Sequence, residues 1–144
     1  MRRNILQELY TEEDIDGIIE YNRRLMLRRK EDFEADRDIL IKIFSRVNAI
    51  GPAEVPNSRE RTIQKASRIL SGIAFRQPFH EGNKTTALFT TIDYLRQNGY
   101  DLPLETIAQE QEVFDLLVLV MYGSKEAEDV RDFLDKRIVT YAAR

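Results

Sequence analysis

The chain has no cysteine among its 144 residues, which removes a disulfide framework and any thiolate site. Long apolar runs are missing too. The longest, from Val113 to Tyr122, is interrupted by Asp115 and falls far short of the roughly 20 residues that span a bilayer. The opening MRRNILQELY carries two arginines but no apolar stretch behind them, so no secretory leader is expected. Neither sign of charge dominates, with 22 Lys plus Arg against 25 Asp plus Glu and a net charge of -3, so nothing draws the whole chain to nucleic acid. These absences fit a cytoplasmic protein with no membrane and no nucleic-acid partner. Proline and glycine are scarce and crowd together once, in IGPAEVPNS from Ile50 to Ser58.

Apolar residues make up 42% of the chain and charged residues 33%, a balance that builds a hydrophobic core at this length. One domain over residues 1–144 is expected. Helical spacing recurs throughout. Thr11 caps a first helix with Glu12, Glu13 and Asp14 in its first turn and Ile15, Ile18, Ile19, Leu25 and Met26 on its apolar stripe. A second stripe runs Phe33, Ile39, Leu40, Ile43, Phe44, Val47. Asn57 or Ser58 caps a third, with Ile63, Ala66, Ile69, Leu70 and Ile73 inward, and Pro78 stops it. The fourth spans Asn83 to Gln97 and ends at Asn98 and Gly99; the fifth runs from about Thr106 to Tyr122; Ser124 caps a sixth bearing Val130, Phe133, Leu134 and Ile138. No run alternates apolar and polar residues, so the expected fold is an all-α bundle of about six helices with one short β-hairpin between Ile50 and Ser58.

The segment RQPFHEGNKTTALF, residues 76–89, carries the chemistry. Glu81, Gly82 and Asn83 sit where the chain turns into the fourth helix. Unpaired N–H groups at a helix N-terminus, beside a glycine with no Cβ in the way, welcome an anion. A glutamate there makes sense if a divalent cation lies between its carboxylate and a phosphate, since magnesium takes one or two carboxylates together with phosphate oxygens and water. Lys84 adds positive charge. Taken alone, Glu-Gly-Asn fits an ordinary capped turn better than a ligand site.

The wider stretch IQKASRILSGIAFRQPFHEGNKTTALFTTIDYLRQNGYDLPL, Ile63 to Leu104, resembles the Fic/Doc family and its signature His-Pro-Phe-x-Asp/Glu-Gly-Asn-Gly/Lys-Arg-Thr. Pro78, Phe79, Glu81, Gly82, Asn83, Lys84 and Thr86 match, and the resemblance is strongest over residues 39–141. It implies a helical bundle with a β-hairpin flap, and an activity that moves AMP from ATP, or a phosphate, onto a hydroxyl of a target protein. It further implies Mg2+ held by Glu81, phosphate oxygens bound at Gly82, Asn83 and Lys84, Phe79 anchoring the loop, and a target or antitoxin-like protein partner. By the same resemblance the flap falls at IGPAEVPNS, with Ala53, Glu54 and Val55 as the edge that pairs with the target.

Two positions depart from the signature. Gln77 stands where the family has its catalytic histidine, and Thr85 where it has arginine. A glutamine amide orients a hydroxyl but has no proton-accepting pKa near neutrality. Loss of a positioned base removes ~10²- to 10⁴-fold in rate, or about 3 to 5 kcal/mol of barrier lowering. Loss of the arginine takes a positive charge from a reaction that depends on positioning and electrostatics. The expectation is therefore a catalytically impaired protein that acts by binding a nucleotide, a phosphate or a partner. The alternatives are a transferase using a non-standard base and a pure interaction module. His80, the one histidine, occupies the variable position of the signature and reads as a solvent-facing loop residue.

Two further features read as surface. Ser124-Lys-Glu-Ala-Glu128 approximates the family's inhibitory string but lacks its final Gly or Asn, and reads as a helix cap. The clusters Arg23-Arg24 and Arg28-Arg29-Lys30 belong to a stretch, Arg2 to Lys30, with seven basic and six acidic residues, the mark of a solvated helix face.

Overall fold

The computed structural model describes residues 9–142; the opening stretch up to Glu8, with Arg2 and Arg3, where no secretory leader is expected, lies outside the described residues. Among the described residues the fold is an all-α bundle of six helices with a small two-stranded antiparallel sheet. The elements are α1 (Glu12–Arg29), α2 (Arg37–Asn48), α3 (Ser58–Arg76), α4 (Asn83–Gln97), β1 (Tyr100–Asp101), α5 (Ile107–Met121), α6 (Ala127–Arg137) and β2 (Val139–Thr140). No helix among the described residues is long and apolar enough to cross a membrane.

Local chemistry sets most helix ends. Thr11 and Asp14 form a reciprocal capping box on α1, Asn57 accepts from the Glu60 N–H on α3, and Thr106 and Gln109 box α5. Helix α1 closes with Lys30 in the left-handed region and Glu31 N–H donating to the Met26 carbonyl, a Schellman ending. That ending displaces one expected core residue. Phe33 falls in the α1–α2 connection, 36% exposed, and α2 begins only after Asp36, whose carboxylate accepts from Ile39 N–H. Ser124 is likewise not the cap of α6. Gly123 turns at φ +79° and Ser124 N–H donates to the Leu119 carbonyl, so Ser124 finishes α5, while Asp129 accepts from Glu126 N–H to start α6.

Helix α3 is the axis of the bundle, packing on α2, α4, α5 and α6. Its stripe Ile63, Ala66, Ile69, Leu70 and Ile73 is wholly buried, and one apolar cluster draws on all six helices, from Ile15 and Ile18 of α1 to Val130 and Leu134 of α6. The strand pair lies elsewhere than expected: Tyr100 pairs with Thr140 and Asp101 with Val139, clasping the chain after α4 to the chain after α6. Residues 51–55 form a turn closed by Glu54 and Val55 N–H on the Gly51 carbonyl, with Pro52 and Pro56 limiting the ladder bonds it could offer.

Ion pairs fasten α6 to α3, with Arg131 Nε 2.8 Å from a Glu60 carboxylate oxygen and Arg59 2.6 Å from Asp135. The hydrogen bond from Arg131, with a smaller contribution from Gln64, outweighs partial burial and holds the Glu60 carboxyl below its ordinary value. As pH falls, the unfolded carboxyl takes up its proton first. The contribution is thus full above the ordinary value near 4.5 and is lost as pH falls through the folded one. Thermal unfolding between about pH 6 and pH 3 should show the melting temperature fall, and fall less in Glu60→Gln.

Candidate functional site

The loop between α3 and α4 is fixed from three sides. Gln77 ends α3 in the left-handed region, φ 49° and ψ 62°, its N–H on the Ile73 carbonyl. Beyond it Pro78 and Phe79 are buried, and Phe79 joins the core. Asn83, the first residue of α4, folds its side chain back onto the loop: Oδ1 accepts from Phe79 N–H at 3.0 Å and Nδ2 donates to the Phe79 carbonyl at 2.8 Å. The third support comes from α1, where buried Asn22 donates through Nδ2 to the Glu81 carbonyl at 2.9 Å and to Thr86 Oγ1 at 3.1 Å.

Gly82 is the N-cap of α4, at φ 76°, and no side chain caps the helix. A Cβ at this position would lie 2.8 Å from Met26 Cε and 3.1 Å from both Asn22 Nδ2 and Leu25 Cδ2. The glycine therefore lets α4 start in contact with α1. The N–H groups of Asn83, Lys84 and Thr85 find no acceptor among the described residues; the first bond of the helix is Thr86 N–H to the Gly82 carbonyl. Removing the side chain of Asn83 would leave the buried Phe79 N–H and carbonyl without partners. Asn83→Ala should lower stability by about 2 kcal/mol, measured by urea unfolding.

The expected site residues divide on inspection. Glu81, Gly82, Asn83 and Thr85 gather at the start of α4. Asn83 can offer an anion only its backbone N–H, because its side chain is spent on Phe79. Lys84 reaches the other way, its Nζ 4.0 Å from Met121 Sδ in the last turn of α5, where a cation suits the negative end of the helix. Gln77 is exposed, and its side-chain amide makes no hydrogen bond among the described residues. His80 is exposed as expected, its N–H bound to the Glu34 carbonyl.

Ala53, Glu54 and Val55 are not brought to this place. They precede α3 while the motif follows it, and its 19 residues put the two ends about 28 Å apart. The segment beside the loop is the α1–α2 connection. Ala35 bridges antiparallel to Phe79, with Asp36 N–H on the Pro78 carbonyl at 2.7 Å and His80 N–H on the Glu34 carbonyl at 3.0 Å. These bonds flank the bridge, so the N–H and carbonyl of Ala35 point away from the loop. An open groove of about 550 Å³ runs here, with Glu34, Asp36 and Asp38 on one wall and Gln77 and His80 on the other.

Compared with known proteins, the chain matches no family model and no curated protein. The site rests on its own geometry.

Two residues that spacing did not single out shape it. Asn22 is a polar residue on the apolar stripe of α1, one turn from Ile18, Leu25 and Met26, and that placement was the available signal. Arg29 belongs to a cluster that reads as solvated, yet its Nη2 donates to Thr85 Oγ1 at 3.3 Å. Nothing in the sequence marks which of Arg28, Arg29 and Lys30 does so. Among the described residues no three His, Cys, Asp or Glu side chains gather as a metal cage. Glu81 is an exposed single carboxylate, a donor set that fits a hard cation only when a ligand supplies the other oxygens.

Proposed function

We propose that this chain is a catalytically degenerate Fic/Doc-like protein that binds the phosphate groups of a nucleotide, ATP with Mg2+ being the pair its residues suit, and acts through that binding. The observation that carries the reading is the first turn of α4: three backbone donors left uncapped and locked in place by Gly82, Asn83 and Asn22. Such a turn favours negative charge through both its free N–H groups and the helix dipole. Glu81 would hold the magnesium, which when bound neutralises charge between carboxylate and phosphates. Gln77 can hydrogen-bond a hydroxyl brought to the groove, but the proton has nowhere to go on an amide. The outward N–H and carbonyl of Ala35 supply an edge on which an extended segment of a partner or target protein could add as a strand.

Titration calorimetry with ATP and Mg2+ tests the binding. Heat of association at millimolar nucleotide, reduced in Glu81→Ala, is the expected result. Absence of heat and of any thermal shift would remove the nucleotide from this reading and leave an interaction module.

A second reading, an active nucleotidyl- or phosphotransferase with a non-standard base, is favoured by one contact. Arg29 brings a guanidinium from α1 to Thr85, the arginine position of the signature, so part of the missing positive charge is restored from another helix. Label passing from α- or γ-labelled ATP onto protein in a lysate, abolished by Glu81→Ala and weakened by Arg29→Gln, would establish it.

A further inference from the structure

A separate cleft of about 340 Å³ lies between α2, α3 and the α5–α6 connection. Arg46, Arg68, Arg76 and Lys125 line it, with Glu126 as its one carboxylate. In a chain of net charge -3 this is a local reversal of sign. The three arginines are also unlike most others. Arg23, Arg37, Arg59, Arg96, Arg131 and Arg137 each hold a carboxylate, whereas the side chains of Arg46, Arg68 and Arg76 make no ion pair or hydrogen bond among the described residues.

Their grouping follows from the helices. Arg68, Gly72 and Arg76 succeed one another at four-residue spacing and share one stripe of α3. A Cβ at Gly72 would lie 2.9 Å from Ile43 Cγ2, so the glycine admits α2 to close approach and brings Arg46, one turn beyond Ile43, beside the two arginines of α3. At the other end Phe75 is 58% exposed, an aromatic ring left in water next to unpaired cations. It stands over the turn at Gly123, where a Cβ would be 3.8 Å from its Cε1.

We propose that this cleft binds a phosphorylated ligand carrying one aromatic ring system, of the size of a mononucleotide, with phosphate oxygens on Arg46, Arg68 and Arg76 and the ring against Phe75. Guanidinium groups offer paired N–H donors that match phosphate oxygens, which Lys125 supplements as a point charge. The volume suits a small molecule and excludes a folded element, while the exposed ring selects a ligand with a flat face over a bare anion. The site uses neither Glu81 nor a metal, so it stands apart from the start of α4.

The test is calorimetric titration of the full chain with ADP, and separately with inorganic pyrophosphate, in the presence of EDTA. ADP should bind without magnesium. Arg68→Gln and Arg76→Gln, both at exposed positions, should each weaken ADP about tenfold. Phe75→Leu should weaken ADP and leave pyrophosphate unchanged, and Glu81→Ala should change neither. Melting curves on the same samples confirm that the variants are folded. No heat with ADP at millimolar concentration in EDTA would overturn the proposal, as would binding indifferent to both arginine substitutions. Binding of ADP that Phe75→Leu leaves unaltered would overturn the ring's part in it. Because the α4 reading is tested with magnesium and through Glu81, failure of one site leaves the result for the other standing.

Discussion

Gly82→Ala is expected to lower the stability of the protein by about 2 to 5 kcal/mol and to abolish the nucleotide binding proposed at the start of α4. Two costs add. An L-residue held in the left-handed region at φ 76° gives up about 1 to 2 kcal/mol. The new methyl then meets Met26 Cε at 2.8 Å, with Asn22 Nδ2 and Leu25 Cδ2 each 3.1 Å away. Met26 and Asn22 are fully buried, so the sulfur-bound methyl has little room to withdraw, and overpacking of this kind costs about 1 to 3 kcal/mol. Relief would come from moving α4 off α1, which breaks the Asn22 hydrogen bonds to Glu81 and Thr86 and turns the three free donors away from a common point. Urea denaturation and ATP titration of the same variant check both halves; an unchanged midpoint would mean that the loop is softer than its contacts indicate.

The same contacts explain what could and could not be read from the sequence. Helix positions were legible because their signals are local. Asn98-Gly99 ends α4 where a left-handed glycine at φ 89° sits, and the stripe of α3 repeats at helical spacing however the chain folds around it. Sequence and structure differ where a distant partner decides. Phe33 continues the spacing of α2 backwards, but the α1 ending and the bridge of Ala35 to Phe79 hold that connection extended. The two-stranded sheet joins Tyr100 to Thr140 and Asp101 to Val139, pairs too far apart along the chain for any turn signal to announce. Resemblance points the flap to IGPAEVPNS, but the uninterrupted length of α3 puts Ala53, Glu54 and Val55 at the opposite end of that helix from the motif. Within the site, Gly82 and Asn83 could be read from their residue types. The diversion of Lys84 toward Met121 and the arrival of Arg29 at Thr85 depend on which side chains α5 and α1 present, and spacing along one helix carries no record of that.

Restoring the two departures together, Gln77→His with Thr85→Arg, is expected to raise transfer of label from ATP to protein by at least ~10²-fold, the lower end of what a positioned base contributes. The backbone accepts the first change. Residue 77 is an exposed left-handed helix ending at φ 49°, and histidine tolerates that region better than most side chains. Its imidazole would enter the groove bounded by Asp36 and Asp38, where carboxylates stabilise the imidazolium it becomes on taking a proton. The second change is less free. Thr85 already receives Arg29 at 3.3 Å, so a new guanidinium there faces a like charge until a phosphate arrives to separate them. Adding Arg29→Gln to the double variant should therefore leave transfer intact or improve it, and should raise the melting temperature measured without nucleotide. If the restored variant binds ATP and still moves no label, with or without Arg29, the site departs from the signature by more than these two positions, and binding without transfer is the reading that stands.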